Sequence, residues 1–180
     1  MKKNILIISS SLRANSNSEA LADSFAKGAQ EAGHSIKQIS LKEKSISFCR
    51  GCLACQNSGN CTIRDDATEI VQMMHDADAI AFATPIYYYG ISGQLKTLLD
   101  RGNSLYGSDY AFHDIYLLSS AAEDEPETDR RAVTSLEGWI ACFERARLAG
   151  TVFAGGVTAP GDIHNHPALQ TAYDMGKNLQ

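Results

Sequence analysis

Short runs of apolar, often β-branched residues alternate along this 180-residue chain with segments whose apolar residues recur every three to four positions. Few folds accommodate that alternation, because each short run must be buried on both faces and each amphipathic segment must cover it. The runs are Asn4–Ile8, His34–Leu41, Asp78–Thr84, Ile115–Ser119 and Thr151–Ala154. The helical faces between them carry Leu21, Phe25, Ala29 and Ala32, then Ile70, Val71 and Met74, then Ile91, Leu95, Leu98, Leu99 and Gly102. Two more follow, with Val133, Leu136, Ile140 and Phe143, and with Leu169, Ala172, Tyr173 and Gly176 after Pro167. Five strands alternating with five helices predict an α/β fold of three layers, doubly wound around a five-stranded, mainly parallel sheet. Pro85 is expected to end the third strand, and Asp66 with Glu69 to form the capping box of the second helix.

The length suits one domain over residues 1–180. Sixteen basic against twenty-one acidic residues leave a net charge of −5, which argues against a nucleic-acid partner held by phosphate neutralisation. No uncharged apolar run approaches a membrane span, so no membrane partner is expected. The apolar run after Lys2-Lys3 stops at Ser9-Ser10-Ser11, too short for a secretory signal, and points to a cytoplasmic protein.

Ligands of doubly wound sheets bind beyond the carboxyl ends of the strands. The loop after the first run, Ser9 to Glu19, offers hydroxyls, amides and Arg13 at the start of a helix, which is a setting for a phosphate. It also reads as a plain capped helix start, Ser16-x-x-Glu19. It carries neither a dinucleotide fingerprint nor a P-loop. The loop after the third run, Thr84 to Gly93, sets a rigid proline before three tyrosines, a wall for a flat heteroaromatic ring or a surface between subunits.

Four of the five cysteines crowd into Cys49, Cys52, Cys55 and Cys61, spaced C-x2-C-x2-C-x5-C. In a chain expected to be cytoplasmic this is not a disulfide framework. A metal site, a redox-active thiol cluster and a loop-packing role all remain open, and zinc, which favours separated pairs, fits least well. Cys142 reads as a small core residue. His166, before Pro167, reads as a helix cap rather than a metal ligand with His164. Asp100-Arg101 reads as a helix end with a structural or interfacial ion pair. Glu123 to Glu127 reads as a solvated acidic loop.

The segments S-S-L-R-A-N-S-N-S, C-R-G-C-L-A-C-Q-N-S-G-N-C-T-I-R-D-D and A-D-A-I-A-F-A-T-P-I-Y-Y-Y-G-I-S-G-Q-L-K-T-L-L-D-R occur in that order. Together they resemble the NADPH-dependent FMN reductase and iron–sulfur flavoprotein group. The resemblance implies a flavodoxin-like sheet of order 2-1-3-4-5 and non-covalent FMN. It implies Ser11, Arg13, Asn15, Asn17 and Ser18 around the phosphate, and Pro85, Ile86, Tyr87 and Tyr88 beside the ring. Ser119 and Ser120 would close on the ribityl chain. The chain lacks the Gly and Pro with which the group opens its first loop. The activity implied is hydride transfer from NAD(P)H through FMN to a small-molecule acceptor such as a quinone, azo compound or flavin, in a homodimer or homotetramer. No side chain is required as acid, base or nucleophile. The resemblance also admits an iron–sulfur flavoprotein with a [4Fe-4S] cluster on Cys49, Cys52, Cys55 and Cys61. A non-enzymatic flavodoxin-type electron carrier is the contrasting class, disfavoured by the modest charge and the cysteines.

Overall fold

The computed structural model describes residues 1–179. In chain order the elements are Asn4–Ser9 (β1), Asn17–Glu31 (α1), Ser35–Ser40 (β2), Ala54–Ser58 (α2), Asp66–Asp76 (α3) and Ala79–Tyr87 (β3). There follow Gly90–Ile91 (β4), Gly93–Arg101 (α4), a 3-10 turn over Gly102–Leu105, Asp114–Ser120 (β5), Arg130–Ile140 (α5), Arg147–Ala154 (β6) and Pro167–Lys177 (α6). Five strands form a parallel sheet in the order β2-β1-β3-β5-β6. Counting only these five, the order is 2-1-3-4-5, as expected.

Period-2 alternation divides the strand residues between two cores. Ile5, Ile7, Ala81 and Leu118 pack under α1 and α6 with Leu21, Phe25 and Ala172. Leu6, Ile8, Phe82 and Leu117 pack on the opposite face with Ile70, Met74, Leu95, Leu98 and Leu136, from α3, α4 and α5. The three layers follow directly from this division.

Several boundaries differ from the expectation. The sheet has six strands, because two-residue β4 folds back antiparallel on the end of β3. Pro85 does not end β3, which runs on to Tyr87. The Ala83 carbonyl points to β1, where it accepts from the Ser10 N–H at 2.9 Å. By the two-residue period the Pro85 nitrogen faces the same side, where the β1 ladder has already stopped at Ser9, so no donor is missed. Helix α3 is capped by Asp65, whose carboxylate accepts from the Ala67 N–H at 3.1 Å, and not by Asp66. Asp66 instead accepts from the Ser45 N–H at 2.7 Å. Ala32 and Cys142 are exposed rather than core, since each lies at or beyond a helix end. The loop expected between β2 and α3 contains the short helix α2. His166 caps α6 through Nδ1, which accepts from the Ala168 N–H.

Helices α1 and α6 meet backbone to backbone. A Cβ on Gly28 would lie 2.0 Å from the Tyr173 carbonyl oxygen, and one on Gly176 would lie 2.1 Å from that of Phe25. Neither contact can be relieved by turning a side chain. Gly28→Ala is therefore expected to destabilise by about 2–3 kcal/mol despite the better helix former it introduces. Gly138→Ala, in exposed α5 with nothing nearby, is expected to stabilise by about 0.5–1 kcal/mol. Urea unfolding midpoints of the two variants check both signs.

Candidate functional site

The loops after β1, β3, β5 and β6 converge at the carboxyl edge of the sheet. They enclose a cleft of about 160 Å³ lined by Ser11, Arg13, Ser16, Asn17, Ser18, Pro85, Ile86, Tyr87, Ser120, Ala121, Val157 and Thr158, among others. Ser10 and Thr84, just before the lining residues Ser11 and Pro85, belong to a buried hydroxyl chain. Ser10 Oγ donates to the Ala83 carbonyl at 3.1 Å, and Ser92 Oγ donates to Ser10 Oγ at 2.8 Å. The Ser92 N–H donates to Thr84 Oγ1 at 3.0 Å.

Helix α1 opens into the cleft. Ser16 Oγ accepts from the Glu19 N–H at 3.2 Å, so the capping interaction is formed. Asn17 and Ser18 are the first two helical residues, and helix geometry leaves their N–H groups without intrahelical acceptors. Ser18 Oγ is buried and has no hydrogen-bond partner in the protein. A buried hydroxyl without a partner costs about 1–3 kcal/mol. Backbone N–H groups at the positive end of a helix, a free hydroxyl and Arg13 make a donor set suited to a dianion.

Eight of the eleven expected residues line this cleft: Ser11, Arg13, Asn17, Ser18, Pro85, Ile86, Tyr87 and Ser120. The Asn17 side chain is committed elsewhere. Its Nδ2 donates to the Ala159 carbonyl at 3.0 Å and its Oδ1 accepts from the Ile163 N–H at 3.2 Å, so it clamps the loop after β6. Arg13 Nη1 donates to the Thr158 carbonyl at 2.8 Å. Asn15, Tyr88 and Ser119 stand apart from the lining. Asn15 is exposed in a left-handed conformation. Ser119 is buried within β5, its hydroxyl directed at the Val152 carbonyl. Tyr88 is fully exposed, for a geometric reason. The register Tyr87–Gly90 makes Tyr88 and Tyr89 the two central residues of a tight hairpin turn, and both take positive φ, 48° and 64°. Non-glycine residues held this way cost about 1–3 kcal/mol each. Arg131 holds Tyr89, lying 5.3 Å from its ring centroid. Val157 and Thr158 carried no signal in the sequence, because only the tertiary path of the last loop brings them to the cleft.

The cysteines form a second site. All four line one cavity of about 300 Å³ together with Arg50, Ile63, Arg101 and Asn103. Cys55 is buried and accepts a hydrogen bond from Asn103 Nδ2 at 3.3 Å, while Cys61 is half-buried and Cys49 and Cys52 are exposed. The Cys52 thiol is held below its ordinary pKa by the Ala54 N–H and the Thr62 hydroxyl. Leu53, between Cys52 and α2, takes a left-handed conformation, with φ 56°. Phe48 and Leu53, beside the cysteines in sequence, are exposed at 79% and 54%. Among the described residues no three Cys, His, Asp or Glu side chains converge on one ion. A [4Fe-4S] cluster places its four thiolates on four separate irons, so a shared cavity without single-ion convergence fits it better than zinc.

Arg101 fastens this loop, and its ion-pair role is structural. Its Nη1 donates to Asp65 Oδ2 at 2.7 Å and to the Ser47 carbonyl at 2.9 Å, and its Nη2 donates to the Ile63 carbonyl at 3.1 Å. Burial opposes its charge, but Asp65 and the Cys61 sulfur outweigh that and raise its pKa. Asp100, in contrast, makes an exposed pair with Lys96.

A doubly wound sheet whose first helix, proline-led hairpin and last loops surround an anion-ready cleft defines a flavodoxin-like ligand-binding protein. The family model for NADPH-dependent FMN reductase matches residues 3–171, and the chain belongs to that family. An iron–sulfur flavoprotein from Methanosarcina thermophila is 25% identical over 96% of this chain and 91% of its own length. The putative NAD(P)H-dependent FMN-containing oxidoreductase YwqN of Bacillus subtilis is 28% identical over 93% of each. The solved NAD(P)H:quinone oxidoreductase from Methanothermobacter marburgensis shares the fold, with a TM-score of 0.74 at 20% identity, covering 99% of this chain and 97% of that one. The chain spans about half the length of several other iron–sulfur flavoproteins it matches, 39%, 52% and 43%.

The Arg101–Asp65 pair carries a sign that can be tested. Burial works against the Asp65 charge, but Arg101 and the Ser47 and Ala67 N–H groups win, so its carboxyl sits below the usual range. A carboxyl depressed on folding contributes stability above its unfolded pKa and loses it as pH falls through the folded value. Asp65→Asn is expected to destabilise by about 3 kcal/mol at pH 7, because it leaves a buried cation unpaired. The deficit relative to wild type is expected to shrink below pH about 4. Denaturant titrations at pH 7, 5 and 3.5 read both.

Proposed function

We propose that residues 1–180 form one FMN-binding domain that works as an NAD(P)H-dependent oxidoreductase. The observation that carries this reading is Ser18 Oγ, a buried hydroxyl with no protein partner, on a residue that lines the cleft at the start of α1. A phosphate there would complete it, joined by the free N–H groups of α1 and by Ser11 and Arg13. At about 160 Å³ the cleft is smaller than pockets that enclose a whole ligand, commonly ~300 Å³ or more. It suits the phosphate and ribityl end, leaving the ring along Pro85, Ile86 and Tyr87.

FMN, when bound, supplies hydride acceptance from NAD(P)H and delivery of electrons to a quinone, azo or flavin acceptor. The chain's own contribution is binding and orientation. The Ser10–Ser92–Thr84 hydroxyl chain fixes the phosphate loop against the proline loop. Pro85 stiffens the wall beside the ring, and Ser120 and Ala121 close the opposite side.

Homo-oligomer formation, as a dimer or tetramer, is part of the reading. Large apolar side chains stand in water at Leu12, Phe48, Leu53, Tyr88 and Tyr106. A monomer by light scattering would count against it. No helix among the described residues is long and apolar enough to cross a membrane. A cytoplasmic location is part of the same reading, in keeping with the free cysteines.

A second reading is favoured by one observation: the four cysteines line a single cavity with an amide donor on one of them. In this reading a [4Fe-4S] cluster sits there and the protein passes single electrons between flavin and a partner. Aerobic and anaerobic preparations distinguish the two by absorption spectrum and iron content. Flavin bands without iron in both support the plain reductase.

FMN titrations by fluorescence quenching test the phosphate site. Arg13→Ala is expected to weaken FMN binding at least about tenfold through loss of a charge-assisted contact. Ser18→Ala is expected to weaken it about tenfold while leaving the apoprotein as stable as wild type or slightly more so, since the hydroxyl it removes has no partner there. Unchanged affinity in both variants would move the phosphate elsewhere. In stopped flow, NADPH or NADH should bleach the flavin of the wild type within a turnover time. Slow bleaching with fast electron exchange to a ferredoxin-like protein would instead identify an electron carrier.

A further inference from the structure

We propose that Arg101 and Asn103 are positioning residues for a [4Fe-4S] cluster on Cys49, Cys52, Cys55 and Cys61, Arg101 presetting the loop and both side chains donating N–H bonds to its sulfurs. The proposal rests on the second reading above, and its test separates the two.

The four cysteines lie between two points fastened to one side chain. Arg101 grips the Ser47 carbonyl before the first cysteine and the Ile63 carbonyl after the last, and the Asp65 carboxylate holds the guanidinium in place. This side chain is 1% exposed, so the grip is not a surface accident. It presets the ends of a loop that otherwise contains a single short helix. A preset ligand loop loses less entropy when it binds.

The guanidinium does not use all of its donors. Both terminal nitrogens are bonded, but Nε is buried and has no partner. Arg101 lines the cysteine cavity together with Cys61, whose sulfur, after Asp65, is among the neighbours that raise the guanidinium pKa. Two residues further on, Asn103 already donates to the Cys55 sulfur at 3.3 Å and lines the same cavity. A residue retained only to pin the loop would need its terminal nitrogens and nothing else. Here, from one helix end, an amide already donates to one of the four sulfurs and a guanidinium with an unused N–H lines the cavity they share.

N–H donors to cluster sulfurs favour the reduced, more negative state and so raise the reduction potential. A lysine at position 101 would keep the charge. It could not grip Ser47 and Ile63 together while offering a third N–H toward Cys61, because it lacks the planar fork.

The test uses the full chain, loaded with FMN and reconstituted anaerobically with ferrous iron and sulfide. Wild type is expected to retain about four irons per chain. Asn103→Ala is expected to retain iron but to show a cluster midpoint shifted to more negative potential in an EPR-monitored titration, with the flavin midpoint of the same sample unmoved. Asn103→Gln, which keeps the amide donor, is expected to recover part of that shift. Arg101→Lys is expected to lose at least half of the iron after gel filtration. Should Arg101→Lys fail to fold, the Asn103 pair still decides the matter. A cluster potential unchanged in Asn103→Ala overturns the hydrogen-bonding role. A wild-type chain that takes up no iron overturns the cluster reading itself, whatever the variants do.

Discussion

The hydroxyl chain Ser10–Ser92–Thr84 is the interaction on which the rest of the cleft depends. All three residues are fully buried, and each of their hydroxyls has its partners. Ser10 extends β1 across to the Ala83 carbonyl after the regular ladder has stopped. Ser92 caps α4 by accepting from the Leu95 N–H, and the same oxygen donates to Ser10. Three chain segments are thereby fixed relative to one another: the start of the loop after β1, the stretch of β3 before Pro85 and the first turn of α4. In a low-dielectric interior a satisfied network of this kind is strong, and a half-satisfied one is costly. It therefore acts as an all-or-none specification of the geometry between Ser11 and Pro85.

Helix α4 carries that specification to the second site. Its nine residues span about 14 Å at 1.5 Å per residue. Ser92 stands at one end, bonded to Ser10, the neighbour of the cleft-lining Ser11. Arg101 stands at the other, buried in the cysteine loop, with Asn103 just beyond. Leu95, Leu98 and Leu99 bury the face between them in the core with Phe82 and Leu117. The two candidate sites are thus the two ends of one rigid element seated on the sheet, and neither can shift without disturbing core packing.

The sequence made the architecture legible because each strand is buried on both faces and each helix on one, a pattern that survives any choice of loops. It made Ser11, Arg13, Ser18 and Pro85 legible because short donors before a helix, or a proline after a buried strand, have few other uses. Other features escaped it for identifiable reasons. Pro85 looked like a strand end because proline lacks a donor, yet the side it faces needs none. Asn17, placed at the phosphate by the resemblance, does line the cleft, but its amide also spans two backbone groups of a loop more than 140 residues away, which no local pattern shows. Asp66 and Asp65 are adjacent carboxylates, and only the position of Arg101 decides that Asp65 caps the helix. Tyr88 sat in a motif with Tyr87, yet a two-residue turn sends consecutive side chains in different directions.

Two buried side-chain polar atoms among the described residues lack partners, and they divide between the two sites: Ser18 Oγ in the cleft and Arg101 Nε beside the cysteines. Folded proteins leave few such atoms, because each forfeits its hydration without compensation. Random placement would scatter them. Here one belongs to a residue that lines the cleft at a helix start and the other to a residue that lines the cysteine cavity. Both are donors, and both adjoin chemistry that an acceptor-rich ligand would complete, phosphate oxygens at the first and sulfur at the second. The unliganded fold bears these costs together with the left-handed conformations of Leu53, Tyr88 and Tyr89. Ligands that bind only the folded chain offset such costs through mass action, so a ligand at either cavity would raise the stability of the fold.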